Sequence, residues 1–170
     1  MRRMTFLLKA AAIAWALVAL VSSAAVAGAT PTTVARECGP LRVKTLVSNA
    51  PFTLQPANTY TALPRTAVNF TQGGANANCV IVHFTVQLNL GSNGEIRVRA
   101  VLDGNPPLGP PEWIMNRESG DQGFGPRSFT FLFPSVAPGA HQVRIQYLEN
   151  TAFTVSGTLG PYVTSVHFIP

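Results

Sequence analysis

The stretch 128–147, SFTFLFPSVAPGAHQVRIQY, constrains what this chain can fold into more than any other. Phe129, Phe131 and Phe133 occupy every second position, and so do His141, Val143, Ile145 and Tyr147, while Gln142, Arg144 and Gln146 take the alternate places. A period of two sends one set of side chains to one side of a strand, so each half of the stretch has one face to bury. Between the halves, Ala137-Pro138-Gly139-Ala140 puts Pro where a type II turn needs φ near −65° and Gly where it needs positive φ. Two strands that face each other across such a link need further apolar surface to cover them, and the chain reads as all-β.

The remaining segments agree. Beyond the N-terminal region, apolar residues recur at spacing two, and Val, Ile, Thr and Phe dominate the runs. Residues 41–47, 60–63 and 66–70 read as short strands separated by Pro51, Pro56 and Pro64, which belong at strand ends or sheet edges. Val80, Val82, Phe84, Val86 and Leu88 mark the longest strand, expected to be central, and Gly91-Ser92-Asn93-Gly94 turns the chain into a strand over 95–102. From 105 to 127 the pattern dissolves among Pro106, Pro107, Pro110, Pro111 and several glycines, which reads as one long Pro/Gly-rich loop. Strands over 152–155 and 162–169 bring the count to about nine, the number expected of an antiparallel β-sandwich or jelly roll.

The first residues constrain the compartment. Arg2, Arg3 and Lys9 precede an apolar run and the small-residue stretch Ala25-Val26-Ala27-Gly28-Ala29, the three-part pattern of a signal peptide, with cleavage expected after Ala27. The apolar run is short for a bilayer span, which takes about 20 residues. The expected organisation is a signal peptide over 1–27 and one β-sandwich domain over 28–170, secreted or periplasmic, with no transmembrane segment in the mature chain. Three of the 12 basic residues and none of the 7 acidic ones lie in the leader, so nine basic residues face seven acidic ones in the remainder. The basic balance is therefore largely a property of the leader, and no basic stripe or known module points to nucleic acid. Cys38 and Cys79 both fall in the exported part, where two cysteines without metal-ligand spacing are expected to pair as a disulfide.

The run Phe129-x-Phe131-x-Phe133-Pro134-Ser135-Val136-x-Pro138-Gly139-x-His141-x-Val143, with Phe70-Thr71-Gln72-Gly73-Gly74 and Cys79-Val80-Ile81-Val82 upstream, resembles a group of uncharacterised bacterial secreted proteins. At the level of fold it is similar to C1q/TNF-like jelly rolls. The resemblance implies a fold and self-association, and it carries over no catalytic residue.

Chemistry-bearing residues are sparse. His83, His141 and His167 have no metal-ligand spacing, and neither the paired His-x-His nor the P-x-G-x-x-H pattern of a cupin site is present, so no metal and no cofactor is expected. No G-x-S-x-G elbow occurs, and Ser128 and Ser135 sit where backbone geometry favours serine. In the 105–127 loop, Glu112, Glu118 and Asp121 could supply a glycosidase pair or oxygen ligands, against the simpler reading of a solvated loop. Trp113, the sole tryptophan outside the leader, lies near Asn116 and Arg117, a grouping that suits stacking on a sugar ring. A lone Trp in a Pro-rich loop more often closes the end of a sandwich, and that plug is the favoured expectation. The candidate ligand residues are thus Trp113, Asn116, Arg117, Glu118 and Asp121. The leading functional expectation is a non-enzymatic binding or assembly domain that forms homo-oligomers or meets a glycan or cell-surface component. The rival is a carbohydrate-binding module or hydrolase that uses the loop.

Overall fold

A computed structural model describes residues 41–90, 95–108, 111–116, 124–149 and 157–170. Ten strands occur among them: β1 Arg42–Ser48, β2 Phe52–Thr53, β3 Thr61–Ala62, β4 Val68–Gln72, β5 Asn78–Leu90, β6 Ile96–Leu102, β7 Trp113–Asn116, β8 Phe124–Val136, β9 Gly139–Glu149 and β10 Gly157–Phe168. They form two antiparallel sheets. In the first, sheet A, the order is β1-β10-β5-β8, with β2 also on β10; in the second, sheet B, it is β3-β9-β6-β7, with β4 also on β9.

The inward side chains explain why these sheets pack. Val80, Val82, Phe84, Val86 and Leu88 of β5 are fully buried, and so are Ile96, Val98 and Ala100 of β6 and Val143, Ile145 and Tyr147 of β9. Each set repeats at spacing two, so the pleat alone delivers it to one side. β5 is indeed internal, paired with β10 on one flank and β8 on the other. Prolines fall where they cost the ladder least: Pro126 and Pro134 lie in β8, an edge strand, and Pro161 sits at the register break between Leu159 and Tyr162.

Two expectations need correction. The strands of the 128–147 stretch do not pair with one another: β8 hydrogen-bonds to β5 in sheet A, and β9 to β6 in sheet B. The Pro138-Gly139 link, with Gly139 at φ 138°, carries the chain from one sheet to the other, and the two apolar faces meet across the core. The 105–127 segment is not one loop, because β7 pairs with β6 inside it and β8 begins before its end. Four residues were too few for the β7 pattern to register among so many prolines. In β6, Val101 has the parity of an outward residue yet is only 3 % exposed. The strand expected over 152–155, the turn at 91–94, the leader and Cys38 lie outside the described residues.

Candidate functional site

Trp113 belongs to β7, the edge of sheet B, and is paired with the buried Val98. Its ring therefore starts on the inner side of the sheet, but among the described residues no further strand flanks β7, and Trp113 is 42 % exposed. The indole N–H donates to the main-chain carbonyl of Thr130, on edge strand β8 of sheet A, at 3.2 Å. Trp113 thus ties the two sheets along one open side and is not the core plug that the sequence suggested. Asn116 is the last residue of the same strand, and Arg117, Glu118 and Asp121 lie outside the described residues.

Next to it on the chain, Glu112 is engaged twice. It accepts from the Tyr60 hydroxyl and, at 2.6 Å, from Nη1 of Arg97, which also pairs with Glu95. Arg99 lies 3.6 Å from the centre of the Tyr60 ring and donates from Nε to Gln146 at 2.8 Å. The Tyr60 hydroxyl, with Arg97 and Arg99 behind it, holds the Glu112 carboxyl below its ordinary range despite partial burial. Burial and the Glu112 charge push the Tyr60 phenol up. A carboxylate held ionised in this way cannot serve as the protonated acid of a glycosidase pair. The outer face of sheet B is charged: Arg97 is ion-paired with Glu95 and Glu112, while Arg99 and Arg144 donate to Gln146 and Gln142.

The outer face of sheet A is its opposite. Register brings Val43, His167, Ile81 and Leu132 into one row across β1, β10, β5 and β8. The next row is Thr45, Ser165, His83 and Thr130, and the third is Val47, Val163, Thr85 and Ser128. Twelve positions over four strands carry no Asp, Glu, Lys or Arg. Three exposed large hydrophobic residues lie here: Val43, Val47 and Leu132. The polar groups between them pair sideways within the face: Thr45 with Ser165 at 3.0 Å, His83 Nδ1 with Thr130 at 2.9 Å, and Thr85 with Ser128 at 2.9 Å. His83 and His167 meet edge to face, with ring centres 4.9 Å apart. Burial, and then the neighbouring His83, lowers the pKa of His167, which keeps that imidazole neutral at pH 7.

Of the three histidines, His141 stands apart in β9, and among the described residues no group of three or more His, Cys, Asp or Glu is placed to hold a metal. The composition of the sheet A face was in the sequence as an absence, since alternate positions of four strands lack charge. Recognising it required knowing which strands are neighbours.

No family model and no curated protein matches the chain. Solved structures similar to it include the VP2 subviral particle of infectious bursal disease virus, at TM-score 0.48 and 12 % identity over 84 % of this chain and 36 % of that one. Another is a pilus protein of Bacillus endospore appendages, described as disulfide-linked, at TM-score 0.37 and 10 % identity over 82 % of this chain and 98 % of that one. A third is dimeric latent PorU from Porphyromonas gingivalis, at 0.40 and 12 % over 76 % and 13 %. The chain spans about a third of the length of the capsid chain. The likeness is one of all-β architecture.

Proposed function

We propose that this chain is an exported, non-enzymatic β-sandwich of jelly-roll topology, that its role is assembly, and that two copies associate through the outer face of sheet A. The charge-free, laterally hydrogen-bonded surface of that face carries the reading. Desolvating a hydroxyl or imidazole that keeps its partner costs little, whereas an unpaired one costs about 1–3 kcal/mol. An uncharged face also meets its own copy without like-charge repulsion, as the self-complementary patch of a two-fold dimer must. Strand spacing of about 4.8 Å and rise of about 3.3 Å per residue give a face of roughly 19 by 25 Å, so a face-to-face pair hides on the order of 1,000 Å². That lies at the lower limit for a specific interface and implies a weak dimer, with Kd on the order of micromolar. The strand order, with β1-β10-β5-β8 over β3/β4-β9-β6-β7, supports the jelly-roll topology.

Sedimentation velocity from micromolar to near-millimolar protein at pH 7.5 should show a monomer–dimer equilibrium. The pair Val47→Lys and Leu132→Lys should leave a folded monomer at all concentrations. A wild-type chain that stays monomeric throughout, or a double variant that still dimerises, overturns the reading.

Export and the Cys38–Cys79 bridge belong to the same proposal. Cys79 is buried at the start of β5, and among the described residues no cysteine is free, which supports pairing. Closing a loop of this length would stabilise by ~4 kcal/mol in the chain-entropy model. N-terminal sequencing of the exported protein should find Gly28 first, and thiol labelling of the denatured, unreduced chain should find none. An N-terminus at Met1 removes export, and two labelled thiols remove the bridge.

A further inference from the structure

The sandwich has a second open side, opposite Trp113, where edge strand β1 of sheet A lies over β4 of sheet B. Lys44 bridges it, donating from Nζ to the main-chain carbonyl of Asn69 at 2.6 Å. An open cleft of about 740 Å³ lies there, within the roughly 300–1,000 Å³ typical of ligand sites. Its floor is aromatic: Phe70 and Phe168 have ring centres 5.0 Å apart, and the His141 ring lies 5.6 Å from Phe70. Its rim is basic. Arg42 and Lys44 share the parity of the buried Ser48 and so project from β1 into the cleft instead of onto the uncharged outer face.

The carboxylate in the cleft does not neutralise them. Asp103 accepts from His141 Nδ1 at 2.6 Å and from the Gln142 main-chain N–H at 2.8 Å, while the other ring nitrogen of His141 lies 2.8 Å from the Ala137 carbonyl. With acceptors at both ring nitrogens, only the imidazolium satisfies both, and the Asp103 charge is spent on it. Among the described residues the Arg42 side chain makes no hydrogen bond or ion pair, and the Lys44 ammonium binds only a neutral carbonyl. Thr71 and the amide NH2 of Asn69 complete the rim, each with a donor that no described residue takes.

We infer that this cleft binds an acidic saccharide, a sugar of the uronic-acid type. The Arg42 fork takes the carboxylate, with Lys44 adding a second positive charge. The half-buried Phe168 takes the apolar face of the ring, and Thr71 and Asn69 donate to hydroxyls. The site uses none of the residues of the proposed dimer face.

Trigalacturonate titrated into the full exported chain at pH 6 and low salt, followed by calorimetry and amide chemical shifts, tests this. Submillimolar binding is expected, weakening as salt rises, with shifts confined to residues around Arg42, Lys44, Thr71 and Phe168. Arg42→Gln and Lys44→Gln should each weaken binding about tenfold or more, while Arg65→Gln, outside the cleft, should not change it. Maltotriose, which has similar ring faces and no carboxylate, should not bind. Equal binding of maltotriose, equal binding of citrate or inorganic phosphate, or shifts centred elsewhere would each overturn the proposal, as would no binding. If Arg42→Gln aggregates because an inward charge on an edge strand also blocks edge pairing, the wild-type shift map and the maltotriose comparison still decide.

Discussion

Two residues show how a side chain's role follows from what its strand neighbours leave open. His141 is partly buried, and desolvation, its largest single influence, favours the neutral ring, yet the hydrogen bonds to Asp103 and Ala137 and the Asp103 charge outweigh it and raise the pKa. Burial likewise opposes the charge on Asp103, but His141 and the Gln142 N–H bring its pKa below the usual value. A raised histidine pKa contributes stability in full below about pH 6.5, lost as pH rises through the folded value; a lowered Asp pKa contributes above about pH 3.9, lost as pH falls through the folded value. The clasp is therefore strongest between about pH 4 and 6.5. Melting temperature should fall from pH 6.5 to 8.5, and His141→Gln should flatten that slope; an equal slope in the variant would refute the clasp. Trp113 gives a second test. Because it is an edge tie, Trp113→Ala should cost about 1–2 kcal/mol in urea unfolding, well below the ~3–5 kcal/mol of an emptied aromatic core site. A cost in the core range would restore the plug.

At the scale of elements, the sandwich is held at its ends by strands that run out of register partners. Past β4, the Gly73 N–H donates to the Ile169 carbonyl at 2.9 Å, bringing the end of β10's sheet onto the end of β4's. A Cβ on Gly73 would sit 2.1 Å from the main-chain oxygen of Pro170, a contact that neither backbone can absorb without moving. Gly104 differs: its φ is +85° and a Cβ there would have no neighbour within 4 Å, so alanine meets only backbone strain. Together with Asp103 at φ 51° it forms the two-residue turn between Leu102 and Asn105. Gly104→Ala should cost about 1 kcal/mol, the scale of αL strain, and Gly73→Ala at least about 2 kcal/mol. Thermal melts of the two variants would settle the order, and the reverse order would contradict the close approach of β4 and the chain after β10.

For the molecule as a whole, the two outer faces divide the labour: sheet B presents hydrogen-bonded charges and sheet A an uncharged surface with a histidine pair at its centre. On that surface His167 meets the His83 ring among aliphatic and hydroxyl neighbours, and among the described residues β1, β5, β8 and β10 bring no carboxylate to offset protonation of His167. The proposed dimer should therefore weaken in acid, once pH falls through the lowered pKa of His167 and both copies gain a positive charge there; a dimer equally strong at pH 4.5 as at pH 7.5 would count against this face. The sequence by itself determined the strands and their buried sides, because a period of two is a local property and Phe84, Val98 or Ile145 must go inward whichever strand lies beside them. It also determined the sites of turns, since Gly139 and Asp103-Gly104 state their backbone needs in their own chemistry. Only the tertiary structure decided which strands are neighbours, and with that the sheet-crossing of the Pro138-Gly139 link, the meeting of His83 with His167, the row from Val43 to Leu132, and the cleft of Arg42, Lys44 and Phe168. These join residues far apart in the chain through hydrogen-bond ladders that any pair of exposed strand edges can form. Pairing is chosen by the fit of two whole apolar faces, a quantity that no single stretch of sequence contains.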